Sequence, residues 1–226
     1  MKISIGNGLI IIESIETVIV LNYKVGIFLD DSGRTEMAKR KPSMRIQNVV
    51  ASASLNQTIS LDLIVEKFPH VEYRPKVFPG LVFRLKKPKT ATLIFQTGKM
   101  VCTGAKSEKA TRRAVNKVAR ELKKHGIISV ASKPIVHIQN IVASGELGGE
   151  IDLESVVYKL RRVMYEPEQF PGAVYRMNDP KVVFLIFSAG KLVCVGAKKE
   201  QDVYDAVDKL QKILEEKEVI FYPQKN

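Results

Sequence analysis

A chain that repeats itself almost word for word must fold as two similar units, and this one does: GKMVCTGAK, Gly98 to Lys106, returns as GKLVCVGAK, Gly190 to Lys198. At that spacing of 92 residues, with no insertion or deletion, IQNVVAS from Ile46 matches IQNIVAS from Ile138, and FPGLVFR from Phe78 matches FPGAVYR from Phe170. The LIF ending at Phe95 likewise matches the LIF ending at Phe187. Roughly 45% of positions from 46 to 128 are identical to their partners, far above coincidence for so long a period. The unit is too long for a solenoid repeat and reads as half of a pseudo-symmetric domain or one of two tandem domains. The organisation expected is therefore residues 1–44 outside the duplication, a first repeat over 45–132 and a second over 133–226.

Each repeat carries the same run of signals. RIQNVVASAS, from Arg45, reads as a strand, followed by a short helix near 60–68 with Thr58 or Ser60 as N-cap. Strand-like runs follow around 71–74, 80–86, 90–97 and 99–105, separated by Pro75, Pro79-Gly80, Pro88 and Gly98. A longer helix begins after Ser107, presents Ala110, Ala114, Val115, Val118, Ala119 and Leu122 on one face, and stops at Gly126. In the second repeat Val203, Ala206, Val207, Leu210, Ile213 and Leu214 make the matching face. Five strands and two helices per repeat imply an α+β fold with all helices on one side of an antiparallel sheet.

The two cysteines, Cys102 and Cys194, occupy equivalent positions without CxxC spacing, which points to buried thiols in a reducing compartment. The sequence holds no run of 18 apolar residues, and Glu13 and Glu16 cut the N-terminal apolar clusters, so neither a membrane span nor a signal peptide is expected. A cytoplasmic, nucleoid-associated location follows. The formal charge of +12 favours a polyanionic partner, and its distribution sharpens the point. From 45 to 132, 17 Lys and Arg stand against 5 Asp and Glu; from 133 to 226 the count is 13 against 14.

Strand alternation raises a difficulty. Leu93 and Phe95 share a face opposite Ile94, and Val101 and Thr103 share one opposite Met100 and Cys102. In the second repeat Leu185, Phe187, Val193 and Val195 oppose Phe184, Ile186, Leu192 and Cys194. Both faces are apolar, yet the helices cover only one, so either a second layer of protein covers the other or that face is presented to a partner, and such surfaces usually mark binding sites. That face also carries Asn48 and Asn140 with Val50 and Val142, and Arg84, Arg176, Lys99 and Lys191 at its rim. An apolar centre, paired Asn and basic edges suit a minor groove, whose floor offers acceptors and whose walls are phosphate.

QNVVAS/QNIVAS, FPG…R, PK…LIF and GK(M/L)VC(T/V)GAK, each present twice at constant offset, resemble the TATA-box-binding proteins of archaeal type over about residues 45–222. The resemblance implies a pseudo-two-fold saddle of ten antiparallel strands with four helices on the convex face. It also implies a general transcription factor that binds an A·T-rich box in double-stranded DNA, bends it, and nucleates a preinitiation complex with transcription factor B and RNA polymerase. This family is itself a type example of minor-groove kinking, so the wedge role of Phe78 with Phe95 and of Phe170 with Phe187 comes from the resemblance. By the same resemblance Asn48 and Asn140, assisted by Thr103, donate to base acceptors. Val50, Val142, Val101, Val193, Leu93 and Leu185 pack on sugars and base edges, and Arg84, Arg176, Lys99 and Lys191 reach phosphates. Glu166 and Glu168, in MYEPEQF, would hold transcription factor B. Val195 departs from the pattern, standing where the family usually has a second Thr, and so leaves the central base contact asymmetric.

Nothing points to catalysis. GK lacks the glycine five residues before it and the Ser/Thr after it that a phosphate loop needs. His70, His125 and His137 have no ligand or triad spacing, and no cofactor or metal is expected. Residues 1–44 read as an extension with a polar linker, DDSGRTEMAKRKPSM, or as sequence upstream of a true start at Met37 or Met44. Two other readings stay open: a specialised paralogue or repressor of the same fold, and a protein-interaction module, as in a homodimer, whose apolar sheet face another chain covers.

Overall fold

The computed structural model describes residues 2–6, 9–14, 17–22, 41–129 and 133–222. The linker expected over 30–44 therefore lies largely outside the described residues. Ahead of it, strands β1 (Lys2–Gly6), β2 (Leu9–Ser14) and β3 (Thr17–Asn22) pair in order as an antiparallel meander.

The first repeat runs through β4 (Ser43–Ser54), α1 (Leu61–Lys67), β5 (Leu81–Leu85), β6 (Thr90–Ile94), β7 (Lys99–Ala105) and α2 (Glu108–Lys124). Ser60, not Thr58, caps α1, its hydroxyl accepting from the Leu63 amide at 3.3 Å; Ser107 caps α2 by accepting from Ala110 at 3.1 Å. Gly126 closes α2 at φ +70°, a backbone conformation that costs a residue with Cβ. On α2 the buried stripe is Thr111, Ala114, Val115, Val118, Ala119 and Leu122. Ala110 is only half-buried, because the stripe starts one residue later and Thr111 satisfies its hydroxyl on the Ser107 carbonyl at 2.9 Å.

The second repeat follows the same order: β8 (Ile135–Glu146), β9 (Glu150–Ile151), α3 (Leu153–Lys159), β10 (Val163–Met164), β11 (Gly172–Asn178), β12 (Lys181–Phe187), β13 (Lys191–Ala197), α4 (Glu200–Glu216) and β14 (Ile220–Phe221). Nine strands form one antiparallel sheet in the order β10-β11-β12-β13-β8-β4-β7-β6-β5. Beyond β5, where the second repeat has β10, the first has one antiparallel bridge, Glu72 to Val82, which completes the ten-strand plan. The long central strands β4 and β8 pair with each other across the pseudo-dyad, Ser43 with Glu146 and Ser54 with Ile135.

All four described helices pack on one face of this sheet, around a continuous core that includes Val49, Ile64, Phe83, Ile94, Met100, Val118, Ile141, Phe184, Ile186 and Leu210. Val203, Ala206, Val207, Leu210 and Leu214 of α4 are buried there; Ile213 packs at its margin. The helices thereby define the convex side of a saddle and leave the opposite face of the sheet without helices. At the dyad the two long helices meet end to end. The Glu108 amide donates to the Glu200 carboxylate at 2.6 Å, and the Glu200 amide donates to the Glu108 carboxylate at 2.9 Å. This exchange caps α4, whose own N-cap residue, Lys199, makes no side-chain bond.

Candidate nucleic-acid interface

The helix-free face is built from the alternate residues of eight strands. Asn48 and Val50 on β4 stand beside Asn140 and Val142 on β8 at its middle, with Val50 opposite Asn140 and Asn48 opposite Val142. Outward come Val101 and Thr103 on β7, then Leu93 on β6, cross-strand from Val101 and Val82. The second repeat mirrors this with Val193 and Val195 on β13, and Leu185 between Val193 and Val174. The sheet thus brings together the apolar residues and both Asn residues singled out from the sequence.

Each Asn is oriented by its neighbours. In both repeats a glycine at positive φ, Gly104 at +96° and Gly196 at +101°, coincides with a register shift that takes its amide out of the ladder. That amide donates to the Asn oxygen, Gly104 to Asn48 Oδ1 and Gly196 to Asn140 Oδ1, both at 2.7 Å. Since the oxygen is the fixed acceptor, the NH₂ is the group left to donate. Asn48 Nδ2 meets Thr103 Oγ1 at 3.0 Å. Asn140 Nδ2 is buried and finds no partner among the described residues, because Val195 has replaced that hydroxyl. A buried donor without a partner costs about 1–3 kcal/mol, so Asn140 favours whatever brings it an acceptor.

The phenylalanines form two matched pairs at opposite ends of the face. Phe78 and Phe95 have ring centroids 5.8 Å apart at 67°, and Phe170 and Phe187 are 5.7 Å apart at 67°. A glycine lies beneath each pair. A Cβ on Gly80 would come within 2.5 Å of Phe78 and 3.0 Å of Phe95, and one on Gly172 within 2.8 Å of Phe170 and 3.0 Å of Phe187. The FPG motif therefore has a steric reason: its glycine makes room for a ring folded back over the strand. The repetition of FPG was the available signal for these two glycines, which the sequence reading did not assign to the site.

The rim is basic but not uniform. Lys99 and Lys191, at the starts of β7 and β13, are exposed. Arg84 is exposed and paired with Glu72 at 2.9 Å, which holds the Glu72 carboxyl below its ordinary value through that hydrogen bond and the guanidinium charge. Arg176 is half-buried, and its equivalent neighbour is Met164, so it lacks a Glu72-like partner on β10. The loops before the phenylalanines have opposite charge: Arg74 and Lys76 in the first repeat align with Glu166 and Glu168 in the second, all four exposed. On the convex side Arg113, Lys117 and Arg120 of α2 line a basic groove with Lys87 and Asn116.

A duplicated antiparallel saddle with helices on its back and a symmetric apolar, Asn-centred face defines a class of DNA-binding transcription factors. The chain belongs to the family described as Transcription factor TFIID (or TATA-binding protein, TBP), whose model matches residues 43–125 and again 135–217. A TATA-box-binding protein of Pyrobaculum calidifontis is 51% identical over 185 residues, covering 82% of this chain and 92% of that protein. One from Pyrodictium occultum is 54% identical over 170 residues, covering 75% and 85%. The solved structure of Methanococcus jannaschii TBP superposes with a TM-score of 0.71 at 44% identity, over 77% of this chain and 99% of that one.

Cys102 and Cys194 are buried and unpaired to each other, with their side chains in the core rather than on this face. Among the described residues no cluster of His, Cys, Asp or Glu is arranged to hold a metal, and no helix is long and apolar enough to cross a membrane.

Proposed function

We propose that the chain is an archaeal-type promoter-recognition factor, not an enzyme, that binds an A·T-rich box through the helix-free face of its saddle. The observation that carries this is the pair of glycine-seated phenylalanine clamps at the two ends of one apolar, Asn-centred floor. The floor suits a minor groove in which guanine's exocyclic amine is absent, and Asn48 and Asn140 face it with NH₂ donors. Val50, Val142, Val101, Val193, Leu93 and Leu185 would lie against sugars and base edges. Thr103 would add a hydroxyl on one side that Val195 does not supply on the other.

Phe78 with Phe95 and Phe170 with Phe187 would enter the terminal base steps and kink the duplex, as this family exemplifies. Lys99, Lys191, Arg84 and Arg176 would reach phosphates, Arg84 after exchanging Glu72 for the backbone. The acidic loop with Glu166 and Glu168 would hold transcription factor B, which in turn recruits RNA polymerase. Action on DNA would put the protein in the cytoplasm with the nucleoid. Val195 specifically favours a second reading, a paralogue with altered box preference, which basal transcription lacking the standard factor would separate.

The test is energy transfer across an end-labelled duplex carrying a TATA-like box, against a G·C-substituted control, for the protein and Phe187→Ala. End-to-end shortening confined to the A·T-rich duplex and weakened in the variant is the expected outcome. Equal response to both duplexes, or binding without shortening, would refute it.

A further inference from the structure

The two halves of the face share a fold but differ in how open they are. Phe78 is 39% exposed, and Val82, Ala91, Leu93 and Thr103 are half-buried. Their equivalents Phe170, Val174, Val183, Leu185 and Val195 are all at most 3% exposed and form a small cluster of their own, apart from the main core. Residue size does not account for this, since Phe78/Phe170, Val82/Val174 and Leu93/Leu185 are identical pairs on equivalent strands. Something other than residue size therefore closes the second half. The donor of Asn140 is shut from water on the same side.

The chain outside the repeats supplies one candidate of suitable pattern and position. In the meander, Ile3 pairs with Ile12 and Ile12 with Ile19, while Ile5 pairs with Ile10 and Ile10 with Leu21. Alternation therefore puts these six aliphatic residues on one face of β1–β3, while the other mixes Leu9, Ile11, Val18 and Val20 with Lys2, Ser4, Glu13 and Asn22. A three-stranded sheet with an all-aliphatic face needs something apolar to cover it.

Position agrees. The chain joins the saddle at Ser43, whose register neighbour is Glu146, and Glu146 pairs with Lys191. Lys191 follows the turn from Phe187, and Phe187 pairs with Gly172 beneath the second phenylalanine clamp. The first clamp lies at the far end of β4, beside Ser54 and Lys99. The extension is therefore rooted at the end of the sheet that is covered.

We propose that the meander β1–β3 seats its aliphatic face on the second-repeat half of the saddle when no DNA is bound. This rests on the DNA-binding reading above. DNA would then engage the first-repeat half, where clamp and floor are open, and complete its contacts as the meander leaves. The cover offers Asn140 no acceptor, whereas a minor-groove floor does, so the exchange favours DNA once it has arrived. The competent fraction of the free protein scales the apparent affinity, which makes the extension a built-in brake.

The cover is read directly by thiol labelling of Val195→Cys and Thr103→Cys in the full chain and in residues 43–226. That shorter chain contains both matches to the family model, and the Methanococcus jannaschii structure is matched over 99% of its length by 77% of this chain, so the two repeats are a foldable unit. Labelling of Val195→Cys at least tenfold slower than Thr103→Cys in the full chain, equalised by the deletion, is expected. Equal labelling in the full chain, or slow labelling that survives deletion and depends on concentration as a dimer would, overturns the proposal. So does native protein whose intact mass starts at Met37 or Met44.

Association with a TATA-like duplex should quicken at least tenfold on deletion, and also in full-length Ile12→Glu, which places a carboxylate on the meander's apolar face. If the cover is seen by labelling but neither chain binds the duplex, the DNA reading fails while the cover stands. Unchanged association in both variants removes the brake.

Discussion

The first and second repeats present the same sheet to the same side, yet one half is open, hydroxyl-bearing and flanked by a basic loop, and the other is closed, aliphatic and flanked by an acidic loop. The differences in hydroxyl and loop charge trace to few positions, Thr103 against Val195, and Arg74 and Lys76 against Glu166 and Glu168, whereas the difference in openness falls on pairs that are identical in sequence. Duplication fixed a backbone that tolerates divergence at its edges and centre, and that divergence gives a symmetric scaffold a direction. A groove binder with two identical halves could be read either way round; this one has distinguishable ends.

The largest way to break the comparison is to truncate the clamps one at a time. Phe170→Ala, at a site 3% exposed, should destabilise the fold by about 3 kcal/mol, whereas Phe78→Ala, 39% exposed, should cost less than about 1 kcal/mol. Denaturant unfolding of both variants checks this, and similar losses would mean that the two clamps are equally packed. Next comes charge. Glu166→Lys with Glu168→Lys gives the second loop the sign of the first, and should weaken a ternary complex with transcription factor B about tenfold or more, with DNA binding retained. A mobility-shift titration of that factor decides it, and an unchanged titration would move the docking site elsewhere.

A smaller effect sharpens the centre. Thr103→Val should orphan the Asn48 amide as Val195 orphans that of Asn140, at a cost of about 1 kcal/mol, and Val195→Thr should recover a similar amount. Melting of the two single variants and the double exchange would show whether the asymmetry is carried by this one hydroxyl. Least of all, alkaline pH should separate the cysteines. Burial pushes the Cys194 thiol up to about 12, while Cys102 rises with the Thr92 and Thr90 hydroxyls opposing the shift. A raised folded-state value means the protonated thiol is the native form, so its stabilising contribution is full below about pH 9 and fades as pH rises toward 12. Replacing Cys194 with Ala should flatten that alkaline loss more than replacing Cys102.

The fold was legible because repetition tests every local reading twice. The alternation around Leu93 returns around Leu185 at the expected offset, so strand faces follow from pattern alone, whereas the helix-end signals Ser107 and Gly126 stand only in the first repeat, with Lys199 and Glu218 in their places. Less was legible where a contact depends on distance in the folded chain. The strand expected near 71–74 survives as a single bridge at Glu72, and no local signal separates one bridge from a strand. The pairing of Arg84 with Glu72 across neighbouring edge segments was equally hidden, as was the glycine seat under each clamp. The unequal exposure of two halves with matching sequences was hidden most deeply, because burial there depends on what lies above the sheet.

The exchanged carboxylates of Glu108 and Glu200 make the pseudo-dyad a thermodynamic seam. Each long helix has a first amide that only the other repeat satisfies, and α4, without a capping side chain of its own, depends on it most, so loosening one repeat weakens the start of its neighbour, and the body should melt as one cooperative unit rather than as two. A single repeat, cut free, would find the missing carboxylate only in a second copy of itself and so would be driven to dimerise. Joining the repeats in one chain replaces that concentration-dependent encounter with a tethered one, at an effective concentration on the order of millimolar.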